Sequence, residues 1–292
     1  MKDNHTLTVL ITGGTGGIGL HSAIGIAKTG ATVLVTGRNA ARGHAARDTI
    51  VQASSNPRIQ FVQGDVSSIC GIDQLAHAVS SQVDTLDVLV NNAGYFGDQP
   101  QQNDDGIEMH FVVNVLAPWR LTRKLLPLLR VSPRARVVNV SGGDKPAPID
   151  PDNLQAEKGF KGLLTYKHSK SVLEATSLCL ANDLESEGIS VNIVFPGRAS
   201  TAMTRALSPK ALPGAMKLMY PFFKIFFADD GGKSAKKAAR STLWAATAPE
   251  LEGITHRYYD TNMNEQRLHP TAYNPDIQAS IISVIESYEI GD

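Results

Sequence analysis

The chain has 292 residues, 42% apolar and 19% charged, with 28 basic and 28 acidic residues and a formal net charge of zero. That balance excludes a disordered or collagen-like chain and gives no field to draw a nucleic acid or an anionic membrane. The two cysteines, Cys70 and Cys179, have neither metal nor redox spacing, and the eight histidines form no HxH or HExxH pair, so no metal site is expected.

In chain order, short β-branched runs alternate with helical stretches. Strands are predicted at Leu7–Ile11, Thr32–Val35, Ile59–Val62, Val88–Val90, Arg136–Val140 and Ile189–Phe195, with a weaker one at Arg257–Tyr259. Between them, helices are predicted over Ile18–Lys28, Ala40–Ala53, Gly71–Val83, Ile107–Leu129, Thr165–Glu187 and Lys233–Ala248. This order predicts an α/β fold: a doubly wound, Rossmann-like parallel sheet of about seven strands with helices on both faces. The whole chain is read as one domain. Two stretches break the alternation: a Pro/Gly/Asp-rich loop from Gly142 to Gly162, and an insertion at about 198–230 carrying the aromatic run Leu218–Phe227. Loops of that length in a compact domain usually serve a site. The aromatic run reads equally as core packing or as an apolar lid over a substrate. Nothing near the start reads as a signal peptide, and no run approaches a membrane span, so a cytoplasmic chain with no stable membrane anchor is expected.

The first strand runs directly into Thr12-Gly13-Gly14-Thr15-Gly16-Gly17-Ile18-Gly19 and then a helix. A strand, a glycine turn and a helix N-terminus together present backbone N–H groups and a positive dipole end to a pyrophosphate. The second strand ends in Thr36-Gly37-Arg38-Asn39, with Arg42 one turn on and no carboxylate. An acidic residue there would bind a ribose 2′-hydroxyl, whereas an arginine accommodates a 2′-phosphate, so NADP(H) is the expected cofactor.

Tyr166 and Lys170 lie four apart on a predicted helix and share one face. A phenol with a reference pKa of about 10 is a poor base at neutral pH. A neighbouring ammonium is expected to lower it, so that the phenol can exchange a proton with an alcohol or carbonyl oxygen.

These residues resemble the short-chain dehydrogenase/reductase family from about Leu7 to Tyr259. Residues 12–19 match its TGxxxGxG fingerprint, Asp65-Val66 its adenine-contacting pair, and Asn91-Asn92-Ala93-Gly94 its NNAG element. Asn114, Tyr166 and Lys170 fall where its catalytic Asn and YxxxK lie, and Pro196-Gly197 with Thr201 resembles its PGxxxT. The resemblance implies that Lys170 also binds the nicotinamide ribose, that Asn114 holds a relay water, and that Thr201 touches the nicotinamide carboxamide. It implies cofactor contacts at Thr12, Gly13, Gly14, Thr15, Gly17, Ile18, Gly19, Arg38, Asn39, Asp65, Val66, Asn92, Ala93, Gly94, Tyr166, Lys170, Pro196, Gly197 and Thr201. It also implies association through the two long helices, without fixing a stoichiometry.

Asn153-Leu154-Gln155, Glu157-Lys158 and Tyr166-Lys167-His168-Ser169-Lys170, with the extended loop before them and the aromatic segment Tyr220–Phe227, are similar to the retinol dehydrogenase and WW-domain oxidoreductase branch. That branch implies a lipophilic alcohol, aldehyde or ketone as substrate. A carbonyl reductase or alcohol dehydrogenase, of secondary metabolism, is the expected function.

One departure matters. The fifth strand continues as Val140-Ser141-Gly142-Gly143, and the family's catalytic serine falls on Gly142. Ser141 is the adjacent hydroxyl, but strand alternation aims it the other way. Losing one such donor costs about 2.7–4 kcal/mol of transition-state stabilisation. Ser141 shifting in, a hydroxyl from substrate or water, and altered chemistry all remain open. The last motivates one further reading, a cofactor-binding enzyme of non-redox or multistep chemistry such as cyclisation, isomerisation or dehydration; a nucleotide-sensing protein without turnover is a separate alternative, against which the intact Tyr166–Lys170 pair weighs.

Overall fold

The computed structural model describes residues 6–142, 147–206, 208–212 and 214–288, with only the backbone described at 215, 216, 219, 223 and 226. Its sheet has eight strands in the order β3-β2-β1-β4-β5-β6-β7-β8. These are β1 (Thr8–Ile11), β2 (Thr32–Gly37), β3 (Ile59–Gln63), β4 (Val88–Asn91), β5 (Arg136–Val140), β6 (Ser190–Val194), β7 (Tyr258–Tyr259) and β8 (Glu265–Gln266). The first seven run parallel, and β8 folds back antiparallel on β7.

The strands read as unbroken apolar runs because both faces are covered. Leu34, Leu10, Leu89, Val137 and Val191 form one registered row across five strands and point into one core. Their neighbours Val33, Val9, Val88 and Val138 point into the other. The alternation of side chains along a strand divides them.

The helices are α1 (Gly17–Ala27), α2 (Ala40–Ser54), α3 (Ile69–Ser80), α4 (Met109–Phe111), α5 (Ala117–Lys124), α6 (Leu126–Leu129), α7 (Gly162–Leu184), α8 (Ala202–Arg205), α9 (Tyr220–Phe226), α10 (Lys233–Thr247) and α11 (Pro275–Glu286). Helices α1, α2 and α10 cover one face; α3, α5, α7 and α11 cover the other.

The structure departs from the expected elements, or adds to them, at three places. The single helix expected over Ile107–Leu129 is interrupted by a π-helical turn at Val112–Leu116 and by a break at Leu125. Pro118 and Pro127 lack the N–H that a continuous ladder needs. The expected count of seven strands omits β8, an exposed two-residue pair. Helix α11 was not expected, although Asn274 caps it and Pro275 opens it, with Ile281 and Ile285 buried four apart.

The core layer beneath the site contains a polar ladder. Asn91 Nδ2 donates to Asn139 Oδ1 (2.8 Å), and Asn139 Nδ2 donates to Ser177 Oγ (2.7 Å), tying β4 to β5 to α7. Asn139 is fully buried. Asn139→Ala should lower the urea-unfolding free energy by about 2 kcal/mol, because it takes the acceptor from the buried Asn91 Nδ2 and a donor from the buried Ser177 Oγ. An unchanged midpoint would show that the ladder adds nothing to stability.

Candidate functional site

The cleft lies at the carboxyl ends of β1 and β4, where the strand order reverses, as expected for ligands of open α/β sheets. Its volume is about 710 Å³, within the range of about 300–1,000 Å³ typical of small-molecule sites.

One wall is the glycine loop. Gly13 adopts φ +65°, and a Cβ there would sit 3.0 Å from Ala93 Cα, so the turn needs glycine. A Cβ on Gly16 would enter the cleft, meeting nothing nearer than Arg42 Nη2 at 3.9 Å. Gly16 offers no side chain to cap α1, which leaves the helix N-terminus presented to the cleft. This cradle, with Arg38 and Arg42 along its rim, fits a dinucleotide phosphate.

Of the expected cofactor residues, Gly13, Thr15, Gly17, Ile18, Gly19, Arg38, Asn39, Asp65, Val66, Asn92, Ala93, Gly94, Pro196, Gly197 and Thr201 line the cleft. Thr12 and Gly14 do not. The Thr12 hydroxyl is buried and accepts the N–H groups of Asn92 and Ala93, both at 3.0 Å. A Cβ on Gly14 would lie 2.7 Å from Val35. The Thr12 hydroxyl and the Cβ side of Gly14 thus face the protein and shape the loop. Asn39 also has a local task, since its Oδ1 caps α2 through the N–H of Arg42 (2.9 Å).

Opposite the glycine loop, α7 carries Tyr166 and Lys170 into the same cleft. Lys170 Nζ donates to the carbonyl of Val140 (3.0 Å). Burial pushes its ammonium below the ordinary lysine range, against the opposing pull of Glu174. For Tyr166 the direction is opposite to that expected: desolvation by the surrounding packing raises its phenol to about 12, although the residue lines the cleft and is only half-buried.

Asn114 is wholly buried on the π-helical turn and does not line the cleft. Its Oδ1 accepts the N–H of Tyr95 (2.8 Å), and its Nδ2 donates to the Tyr95 carbonyl (3.0 Å) and to Ser169 Oγ (2.9 Å). It therefore locks the loop after β4 to the helix of Tyr166. A Cβ on Gly94 would lie 3.5 Å from Asn114 Oδ1 and 3.7 Å from Lys170 Nζ, so this glycine packs close to both groups.

Ser141 as a catalytic hydroxyl is also corrected. Its Oγ is buried and donates to Glu174 Oε1 at 2.6 Å, away from Tyr166. Gly142 does face Tyr166: a Cβ built there would be 2.3 Å from the phenol oxygen. The phenol occupies the space that a serine side chain would take. His168 stands outside the chemistry, with Nε2 accepting the N–H of Asp150 (3.0 Å).

Sequence reasoning missed the aromatic wall. Phe96 meets Tyr166 edge-on at 5.4 Å between ring centroids, and His110 lies in contact with Tyr95, Phe96, Phe160 and Tyr166. The buried His110 Nε2 accepts the N–H of Gly97 (3.1 Å), leaving Nδ1 to carry the hydrogen toward Glu108 Oε1 (2.7 Å). Glu108 in turn caps α4. The Glu-x-His spacing was the only local signal, and one such pair is common on any helix start.

The insertion borders the cleft through Thr204, Leu212 and Phe227. Ala211 packs against Gly162, and Ser208 donates to Asp98. Leu218, Phe222 and Ile225 are exposed, so these three do not serve as core. The side chains of Met219, Phe223 and Phe226, and residues 143–146 of the long loop, lie outside the described residues. Among the described residues, no group of three His, Cys, Asp or Glu side chains could hold a metal, and no helix is long and apolar enough to cross a membrane.

Comparison with known proteins agrees with this geometry. The family described as short chain dehydrogenase matches residues 7–212. Retinol dehydrogenase 13 of Mus musculus is 31% identical over 274 residues, covering 92% of this chain and 80% of its own. Polyprenol dehydrogenase of Homo sapiens is 30% identical over 281 residues, covering 94% and 82%. A short-chain dehydrogenase structure from Shigella flexneri, complexed with NADP, superimposes with a TM-score of 0.65 at 25% identity, covering 88% of this chain and 97% of its own.

Proposed function

This chain belongs to the short-chain dehydrogenase family, and on that premise we propose that it is an NADP(H)-dependent carbonyl reductase or alcohol dehydrogenase for a lipophilic or polycyclic small molecule. The observation that carries this reading is the pairing of Tyr166 and Lys170 across one cleft from the glycine loop. When bound, the nicotinamide supplies or accepts the hydride.

The protein's own residues handle the proton and the orientation. Tyr166, protonated throughout the neutral range, gives its proton to the carbonyl oxygen as that oxygen gains charge. Oxidation of an alcohol needs the phenolate instead and gains rate as pH rises. Lys170 lines the same cleft, where it would bind the ribose hydroxyls of the cofactor. The apolar wall of Phe96, Met109, Val113, Leu163, Leu212 and Phe227 excludes water and favours a lipophilic substrate. The retinol and polyprenol named in the two relatives are of that class. Residues 198–230 act in this reading as the substrate loop of a single domain.

NADP preference rests on Arg38 and Arg42 beside the loop, with no carboxylate between residues 36 and 42. NADPH should bind more tightly than NADH in fluorescence titrations. Arg38→Asp should narrow or reverse that ratio by ~10-fold or more, through a lost charge-assisted pair and an added repulsion. An unchanged ratio would remove the assignment. The engagement of Ser141 by Glu174, with Gly142 over the Tyr166 phenol, favours one second reading, non-redox conversion in the same cleft. Stoichiometric NADPH consumption with product would exclude it.

A further inference from the structure

Glu174 has no part in the reaction as read so far, yet it is 2% exposed and one helical turn beyond Lys170. Tyr166, Lys170 and Glu174 form one stripe along α7 at intervals of four residues. The end of β5 meets this stripe residue by residue. The Val140 carbonyl takes Lys170 Nζ, the Ser141 hydroxyl takes Glu174 Oε1, and Gly142 lies over the Tyr166 phenol. Glu174 Oε2 is buried and has no hydrogen-bond partner among the described residues. A buried carboxylate with one idle oxygen is costly unless a charge offsets it.

The groups acting on it are few. On its own helix, Lys170 favours the carboxylate. From β5, the Ser141 hydroxyl does the same. From β7, the buried Tyr258 phenol is pushed upward, in part by Glu174. Burial opposes all of this and raises the Glu174 carboxyl well above its ordinary range. Lys170 is the cation acting on Glu174, and Glu174 is the anion acting on Lys170.

We propose that Glu174 is a positioning residue whose carboxylate keeps Lys170 charged beside Tyr166 and, through Ser141, fixes the strand end that carries Gly142. Ser141 thus serves the reaction by holding Glu174, which accounts for a hydroxyl that points away from the substrate. The inference deepens the reading of Tyr166 and Lys170 as the reacting pair and rests on it. A purely structural Glu174 would hold Ser141 equally well as a neutral amide.

The test is the Lys170 titration, followed by NMR of its ¹³Cε resonance in the full chain without cofactor and assigned with Lys170→Arg. Glu174→Gln keeps shape and an acceptor for Ser141 but removes the charge. Its Lys170 midpoint should move toward lower pH by about one unit. The alkaline limb of kcat/KM for NADPH-dependent carbonyl reduction should move the same way. Ser141→Ala, which only weakens the hold on the carboxylate, should move both in the same direction by less, and it serves if Glu174→Gln does not fold. An unmoved Lys170 midpoint in the folded variant overturns the proposal. A moved midpoint with a normally active Tyr166→Phe overturns the reading of the reaction and leaves the charge coupling standing.

Discussion

Tyr166→Phe is expected to lower NADPH-dependent carbonyl reduction by about 10²–10⁴-fold, the contribution of a positioned general acid. The dissociation constant for NADPH should stay within a few-fold of wild type. The cofactor cradle is built from the glycine loop, the Asn92–Gly94 loop and two arginines, none of which depends on the phenol oxygen. The ring keeps its place in Phe, since its edge-on contact with Phe96 does not involve the oxygen. Stopped-flow absorbance with a panel of lipophilic aldehydes and ketones separates the two quantities. Wild-type turnover in this variant would remove Tyr166 from the chemistry. Loss of NADPH binding would show instead that the phenol holds the cofactor.

Gly142→Ala should be nearly as damaging, for a steric reason. The new methyl carbon would lie 2.3 Å from the phenol oxygen and 3.1 Å from the ring carbon that bears it. The phenol must therefore move by about an ångström, a displacement that can cost ~10²-fold in rate. NADPH affinity should not change. Gly142→Ser produces the same displacement but adds a hydroxyl that can donate to the substrate oxygen, so part of the loss returns. Both variants are read as kcat on the carbonyl panel against wild type. Full activity in Gly142→Ala would mean that the phenol acts from another position. A Gly142→Ser enzyme faster than wild type would show that the missing donor limits ordinary carbonyl reduction, and would favour the non-redox reading of the cleft.

The order of elements was legible in the residues because each parallel strand is buried on both faces and separated from the next by a helix. Apolar runs and glycine punctuation are local signals, and so is the glycine loop at the end of β1. The four-residue spacing of Tyr166 and Lys170 also follows directly from helix geometry. Tertiary contact decided what those spacings could not. Ser141 and Glu174 are 33 residues apart and meet only when α7 packs on β5. The Thr12 hydroxyl is held inward by the backbone of Asn92 and Ala93, and Val35 fills the Cβ side of Gly14. The Tyr166 phenol was expected to be acidified by Lys170; burial reverses that, because desolvation depends on everything that surrounds a group and not on its neighbour four residues away. Residue types and spacings determined the family fold and placed Tyr166 and Lys170, the proposed reacting pair, on one helix face. The packing of α7 against the end of β5 decided that the Ser141 hydroxyl meets Glu174, that the Val140 carbonyl meets Lys170, and that Gly142 lies over Tyr166.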